Sequence, residues 1–462
     1  MTKKENHLTN PMKTIFNIPK NLTPDSYLLV KKSRPLFGEI SVGGAKNMVT
    51  KVMAAFLASD GGECLIRNAP FIGEVANILA NYEQLGVKYS FFPDRTLKVN
   101  FKNLKDFNLG DENTIGSRIS ILMAGPILKH FGQAVIKTPG GCKIGKRKID
   151  FHLQGLKNFG VEIKEDGKFL RMKVKKGGLK GIKFKLPFPS VGATENMIIT
   201  AACAKGETVI SNCAMEPEIM GLIKILQRAG VSIIVNSDRE ITINSSENLN
   251  FKDVTIIPDR VEILSWASAA LATKGDIFVK NAYQDHIVTP LGILEKMGAG
   301  IEINHDGIRF YYKGELKPTN VRTEIYPGFA TDFGQPFAMV LSQIKGKSTM
   351  HETIFDNRLG YLETLNSVVK KNKFVLKNNC PVNDPCRFKN KGYRHLAEIT
   401  GPVEFGKGEV EIQDLRAGFA LIIAGLLSDG LKIKYLDLLF RGYENPISKL
   451  KSLGADVELV NG

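Results

Sequence analysis

Along this chain, short runs in which apolar and polar residues alternate give way repeatedly to stretches where Leu, Ile, Val and Ala recur every three or four positions. Alternation is the period of a half-buried strand, and the wider spacing is that of an amphipathic helix. The switch follows one template. From Gly62 the chain reads GECLIRNAPFIGEVANILANYEQLGVKY, and from Gly206 it reads GETVISNCAMEPEIMGLIKILQRAGVSI. Gly275 opens GDIFVKNAYQDHIVTPLGILEKMGAGIEI and Gly430 opens GLKIKYLDLLFRGYENPISKLKSLGADVEL, with a longer copy from Gly132 and a poorer one from Gly346. Each copy predicts a strand, a turn and a helix, and most close on a second glycine before another strand. Glycine suits both ends because such positions often need a positive φ that other residues reach only with strain.

The opening glycines at 62, 132, 206, 275, 346 and 430 divide the chain into six units of about 70 residues. Ahead of most units lies another apolar, helix-like segment with a polar start. These starts read Gly43-Gly44-Ala45-Lys46-Asn47, Ser190-Val191-Gly192-Ala193-Thr194, Pro258-Asp259-Arg260, Thr331-Asp332 and Asp414-Leu415-Arg416. Taken singly each is an ordinary N-cap; several of them with cations alongside predict a phosphate and carboxylate site, because helix starts carry free N–H groups and the positive end of the dipole. A solenoid would have nearly interchangeable units. Here the polar junction residues differ from unit to unit, which fits a closed α/β arrangement converging on one site. Residues 1–25 read as a mobile N-terminal extension. The Lys-, Asn- and Pro-rich stretch from about Lys370 to Gly408 reads as an insertion or a distorted sheet edge.

Composition sets limits on this picture. The 462 residues are 43% hydrophobic and 24% charged, as expected of a globular protein with two or three domains. There is no apolar run of about 18 residues and the start is polar, so neither a membrane nor a secretory route is expected, and the location reads as cytoplasmic. Six cysteines without a CxxC pair and seven histidines without HxH or HExxH spacing predict no disulfide framework and no metal. Cys380 and Cys386 stand closest together, with no second pair or His cluster to complete a site. The net charge of +16 points either to anionic partners or to a lysine-rich solvated surface. No aromatic interleaving or nucleic-acid signature accompanies the basic residues, which leaves nucleic acid a weak reading beside phosphorylated small molecules.

One cysteine differs from the others. Cys142 lies in Pro139-Gly140-Gly141-Cys142-Lys143-Ile144-Gly145-Lys146-Arg147, where cations favour the thiolate and glycines permit a mobile lid. A turn cysteine beside solvated lysines is the plainer alternative. The motifs then accumulate in order: GAKN from Gly44, PGGC from Pro139, PSVGATEN from Pro189, EPEI from Glu216, PDRVE from Pro258, Thr331-Asp332, Asn357-Arg358, DLRA from Asp414 and RGYE from Arg441. Together, over about residues 30 to 460, they resemble the UDP-N-acetylglucosamine 1-carboxyvinyltransferases, enolpyruvyl transferases related to EPSP synthase.

The resemblance implies a two-domain inside-out α/β barrel, with three repeated units in each domain and the active site in the cleft between them. One domain would run over 46–258 and carry the Cys142 lid; the other, discontinuous, would comprise 26–45 and 259–462. It implies transfer of the enolpyruvyl group of phosphoenolpyruvate to the 3-hydroxyl of UDP-N-acetylglucosamine, the first committed step of peptidoglycan precursor synthesis, by a monomer without cofactor or metal. Cys142 would be the lid proton donor, able to form a covalent adduct and open to alkylation by fosfomycin, and Asp332 the base near the sugar hydroxyl. Lys46, Arg118, Arg147, Arg358, Arg416 and Arg441 would face phosphate and carboxylate groups, with Asn47 and Asp414 orienting groups around them. Arg147, Lys148, Ile149, Asp150 and Phe151, together with Ser190, Val191 and Gly192, match segments that contact uridine and diphosphate, and Ile354 matches a contact to the sugar nucleotide.

The chain departs from the family pattern ahead of RGYE, where Leu438-Leu439-Phe440 replaces a stretch that usually carries His and Asp. Lys148 and Ala330 stand where proline is common. These departures keep open a sister enzyme with another acceptor, either a different uridine nucleotide or shikimate 3-phosphate. A noncatalytic binding relative is the third reading, and the retention of Lys46, Cys142 and Asp332 argues against it.

Overall fold

The computed structural model describes Pro19 and residues 22–110, 118–138, 149–246, 248–371 and 373–461. Most of the expected N-terminal extension and the loop around Cys142 lie outside the described residues. The described chain forms two compact units: one from Gly44 to Ile257, the other from the segment up to Gly43 together with Pro258 onward.

Each unit holds three four-stranded sheets, and all six sheets share one topology. A short edge strand runs parallel to the strand that opens each repeat, and in the first five repeats that strand pairs antiparallel with the last of the repeat, which pairs antiparallel with the one between; in the sixth, Tyr27–Val30 takes the third place. Thus Asn108–Leu109 lies parallel to Gln133–Lys137, followed in space by Phe169–Val174 and Val161–Asp166. The third, fifth and sixth repeats build on Glu207–Ser211, Gly346–His351 and Leu431–Lys434 in the same way. Parallel neighbours need a crossover, and in these four sheets a helix supplies it.

Three strands are borrowed from far along the chain. Val254–Thr255 returns to the opening strand of the first repeat, Glu63–Arg67. Phe37–Ser41 flanks Asp276–Lys280 of the fourth. Tyr27–Val30 sits between Leu431–Lys434 and Val457–Val460 in the sixth.

The segments ahead of the repeats are the buried helices. We label them α1 (Lys46–Phe56), α2 (Ser120–Phe131) and α3 (Val191–Ala201) in the first unit. In the second unit they are α4 (Arg260–Ala272), α5 (Gly334–Ser342) and α6 (Leu415–Leu426). Each trio packs helix on helix with the sheets outside it. All of α4 is buried, and α6 is buried from Arg416 to Leu426, as expected of helices that are apolar all round. Trp266 of α4 meets Phe419 of α6 edge to face at 5.0 Å, and Phe419 stacks on Tyr443 at 4.8 Å. The outer helices are amphipathic: Pro217–Arg228 buries Ile219, Leu222, Ile223, Ile225 and Leu226 and exposes Lys224, Gln227 and Arg228. This is the expected inside-out α/β plan within each unit. It consists of separate four-stranded sheets around helices rather than one continuous barrel sheet.

Five of the six opening glycines have positive φ. The exception is instructive: Lys274 takes the left-handed turn at φ 57°, while a Cβ on Gly275 would stand 2.2 Å from the Leu36 carbonyl oxygen. The stretch after Lys370 is part of the fifth sheet rather than an insertion beside it. Val375–Lys377 and Leu396–Gly401 are its outer and third strands, joined by a long loop.

Candidate active site

In the second unit, the helix starts gather the predicted charged residues. Asp414 caps α6, its Oδ1 accepting from the backbone N–H groups of Arg416 (2.9 Å) and Ala417 (3.3 Å). Asp259 caps α4 in the same manner through Val261 and Glu262. Asp332 lies in the tight turn Thr331–Phe333 that leads into α5. Arg358 Nη2 donates to Asp332 Oδ1 at 2.7 Å, and Arg416 Nε stands 3.9 Å from Asp332 Oδ2. A quarter of the Asp332 side chain remains exposed, whereas Arg358 and Arg416 are almost fully buried.

The two arginines are held differently. Arg358 pairs with Asp332, lies over the Phe355 ring, and meets the Gln335 side-chain oxygen at 2.5 Å from its Nε when that amide is oriented to satisfy both of its ends. Among the described residues the terminal nitrogens of Arg416 have no hydrogen-bond partner; the guanidinium rests over the Tyr443 ring at 5.2 Å, with Asp259 Oδ2 3.9 Å from Nη2. Burial by itself would lower the pKa of Arg416, but Tyr443, Asp259 and Asp332 hold it above its ordinary value. A buried, permanently charged fork with open donors is a site for a carboxylate or phosphate.

Ile354 and Arg358 share a loop fixed by Glu352, whose Oε1 accepts from the N–H groups of Ile354 (2.7 Å) and Phe355 (3.0 Å) while Oε2 accepts from Thr331 Oγ1 (2.7 Å). One buried carboxylate therefore ties the Ile354 loop to the Asp332 turn. Arg441 ends the short helix Asp437–Phe440 and is partly buried. Leu439 and Phe440 lie in the core of this unit and Leu438 packs against it, so the residues that replace the usual polar pair contribute apolar packing behind Arg441.

In the first unit the predicted residues again stand at helix starts. Lys46 and Asn47 are the first two residues of α1, both partly buried. Gly44 just ahead has no alternative, since a Cβ there would lie 1.9 Å from the Asn68 carbonyl oxygen. Arg118 precedes α2 by two positions. Ser190 caps α3, its Oγ 3.4 Å from the Ala193 N–H, leaving Val191 and Gly192 in the first turn. Asp150 and Phe151 open the helix Asp150–Asn158, with Ile149 at its cap. A Cβ on Gly192 would meet the His152 ring at 3.4 Å, so the two segments expected to contact the nucleotide are neighbours. Cys142, Arg147 and Lys148 lie outside the described residues.

Sequence reasoning missed several residues. Glu352 and Tyr443 carry no local signal of what they hold. Glu195, inside the quoted PSVGATEN motif, is buried, with neither carboxylate oxygen hydrogen-bonded among the described residues and Lys51 Nζ at 3.6 Å. Burial raises its pKa to about 8, outweighing the pull of Lys51 and reinforced by Glu218 and Glu216. The reading that no His cluster completes a site at Cys380 and Cys386 is corrected: in the second unit His351 and His395 meet both cysteines, with all four ligating atoms within 4.8 Å of one another. The approach is across strands and therefore invisible to a search for local spacing.

Comparison with known proteins agrees over nearly the whole chain. The family model described as EPSP synthase (3-phosphoshikimate 1-carboxyvinyltransferase) matches residues 30–450. A UDP-N-acetylglucosamine 1-carboxyvinyltransferase of Protochlamydia amoebophila is 39% identical over 437 residues, covering 92% of each chain. UDP-N-acetylglucosamine 1-carboxyvinyltransferase 1 of Staphylococcus aureus is 36% identical, covering 94% of this chain and 99% of its own. Among solved structures, the enolpyruvyl transferase NikO from Streptomyces tendae superposes with a TM-score of 0.82 at 18% identity, covering 95% of this chain and 99% of that one. An EPSP synthase from Acinetobacter baumannii gives 0.67 at 15% identity, covering 94% and 100%. At those identities the solved structures speak to the fold.

Proposed function

This chain belongs to the EPSP synthase family and, within it, to the UDP-N-acetylglucosamine 1-carboxyvinyltransferases, and on that premise we propose that it transfers the enolpyruvyl group of phosphoenolpyruvate to the 3-hydroxyl of UDP-N-acetylglucosamine. The products are the enolpyruvyl sugar nucleotide, which enters peptidoglycan synthesis, and inorganic phosphate. Both substrates are water-soluble cytoplasmic metabolites, which supports action in the cytoplasm. One chain carries every proposed group, which supports action as a monomer.

The chemistry is an addition followed by an elimination. The sugar hydroxyl adds to C2 while C3 gains a proton; C3 then loses a proton as the C2–O bond to phosphate breaks. The steps balance with the two substrates alone. Asp332 takes the hydroxyl proton and Cys142 delivers the proton to C3. Arg416, Arg358 and Arg441, with Lys46, Arg118 and Arg147, hold the carboxylate and phosphate charges, and their fixed donors stabilise charge that develops in the tetrahedral intermediate. Asn47 and Asp414 orient these groups. Ser190, Val191 and Gly192 offer first-turn N–H groups to the diphosphate, Lys148, Ile149, Asp150 and Phe151 line the uridine, and Ile354 meets the sugar.

The observation that carries this reading is the Asp332 carboxylate set against two buried arginines, one of which keeps its terminal donors open. Phosphate release from phosphoenolpyruvate, measured with UDP-N-acetylglucosamine, other uridine nucleotides and shikimate 3-phosphate in parallel, tests it. Release with the first acceptor alone is expected; release only with another would move the enzyme to a different acceptor and direct attention to Leu438 and Phe440.

A further inference from the structure

The four side chains His351, Cys380, Cys386 and His395 belong to three pieces of chain. His351 ends the strand Gly346–His351, the cysteines sit in the loop after Val375–Lys377, and His395 immediately precedes Leu396–Gly401. Because His351 pairs with Leu396, the two histidines fall on adjacent strands with ring centroids 5.3 Å apart. The loop then folds back to place Cys380 Sγ 3.4 Å from His395 Nε2 and 3.6 Å from Cys386 Sγ. On metal–ligand bonds of about 2.3 Å to sulfur and about 2.0 Å to nitrogen, a tetrahedron has edges of about 3.3–3.8 Å; these two separations match to within a few tenths of an ångström, and all four ligating atoms lie within 4.8 Å of one another.

The outer contacts fit the same purpose. His351 Nδ1 is engaged by Asp384 Oδ2 at 3.0 Å, and His395 Nδ1 by the Tyr393 carbonyl at 2.6 Å. Each ring is thus oriented by its Nδ1 and presents Nε2 to the cluster. His351 Nε2 is buried and has no hydrogen-bond partner among the described residues, in a residue only 2% exposed. The backbone N–H of Phe388 donates to Cys386 Sγ at 3.3 Å, a contact that stabilises a thiolate, and the Phe388 ring covers His395 at 5.8 Å. We propose that His351, Cys380, Cys386 and His395 bind one zinc ion in a closed, structural Cys2His2 site. Two thiolates and two neutral imidazoles in tetrahedral array select zinc among the common divalent ions, and four protein ligands leave no position for catalysis.

The site has a mechanical role in this unit. Glu352, which follows His351, donates its N–H to the His395 carbonyl at 2.8 Å, and its carboxylate fixes the Ile354 loop and the Asp332 turn. Arg387, one residue past Cys386, donates to the Ile354 carbonyl. Zinc therefore pins the loop that braces the Ile354 segment.

The test uses the full chain, purified untagged under reducing conditions without chelator. Elemental analysis should find about one zinc per chain, falling at least about fivefold in Cys380→Ser and Cys386→Ser. After zinc removal, cobalt(II) should give the ligand-field bands of a tetrahedral site with thiolate charge transfer, displaced by stoichiometric zinc and unaffected by Cys142→Ser. Chelation should raise the alkylation rates of Cys380 and Cys386 together and lower the Tm by about 5 °C. Wild-type protein that holds no zinc and gives no tetrahedral cobalt spectrum overturns the proposal, whatever the variants do. So does a Cys380–Cys386 disulfide whose reduction confers no metal binding.

Discussion

The two units repeat one strand–helix frame three times each, yet they present charge in different ways. In the second unit the groups at the helix starts are engaged with one another: Asp332 meets Arg358 and Arg416, while Asp259 and Asp414 cap α4 and α6. In the first unit the predicted groups are partly exposed first-turn residues, Lys46 and Asn47 on α1 and Val191 and Gly192 on α3, while the carboxyl group of Glu195 is buried well inside a helix. The frame is common and the chemistry is not. Side chains at the first turn of a buried helix can change without disturbing the apolar body behind them, so the same repeat yields a carboxylate–arginine cluster in one unit and partly exposed helix starts in the other.

The sharpest break of this contrast is Arg416→Met. The change should slow phosphate release about 10³-fold, or about 4 kcal/mol, with only a modest fall in Tm, since its contacts to Asp259 and Asp332 are long, at 3.9 Å. A large fall in Tm would mean that Arg416 is structural. Glu195 probes the other unit through pH. Its pKa is raised from 4.5 to about 8, so the stability it contributes is complete below about pH 4.5 and is lost as pH rises through 8. Wild-type protein should lose on the order of 3 kcal/mol relative to Glu195→Gln across that window, and parallel Tm profiles would contradict the assignment.

Arg358→Met should destabilise the fold more than Arg416→Met, by about 3 kcal/mol, since it breaks a directly hydrogen-bonded pair at 2.7 Å. Chemical denaturation measures this directly. Gly44→Ala should cost about 2 kcal/mol through its collision with the Asn68 carbonyl, read as a lower Tm. Equal stability would show that the α1 start can shift. Fosfomycin should add once to the wild-type chain and not to Cys142→Ala, as intact mass would reveal.

The sequence made the repeat legible because its carriers are local. The opening glycines mark turns or close approaches, and the apolar periodicities mark which elements are buried. What could not be read was pairing over distance. No pattern near Val254 indicates that it joins a strand at Ile66, or near Tyr27 that it enters the last sheet. The site divides likewise. Motifs marked Asp332, Arg358 and Arg416 individually, but the 2.7 Å bond between the first two and the Tyr443 ring beneath the third depend on tertiary packing. His351 and His395 were passed over for the same reason, being 44 residues apart in sequence and neighbours only through strand register.

In the proposed mechanism Asp332 of the second unit takes the proton whose transfer starts the reaction. Phosphate release by Asp332→Asn, measured across a range of UDP-N-acetylglucosamine concentrations, addresses it most directly. The account predicts a fall in kcat of about 10³-fold with KM for the nucleotide within a few-fold of wild type. Turnover close to that of the wild type would contradict it and place the base elsewhere.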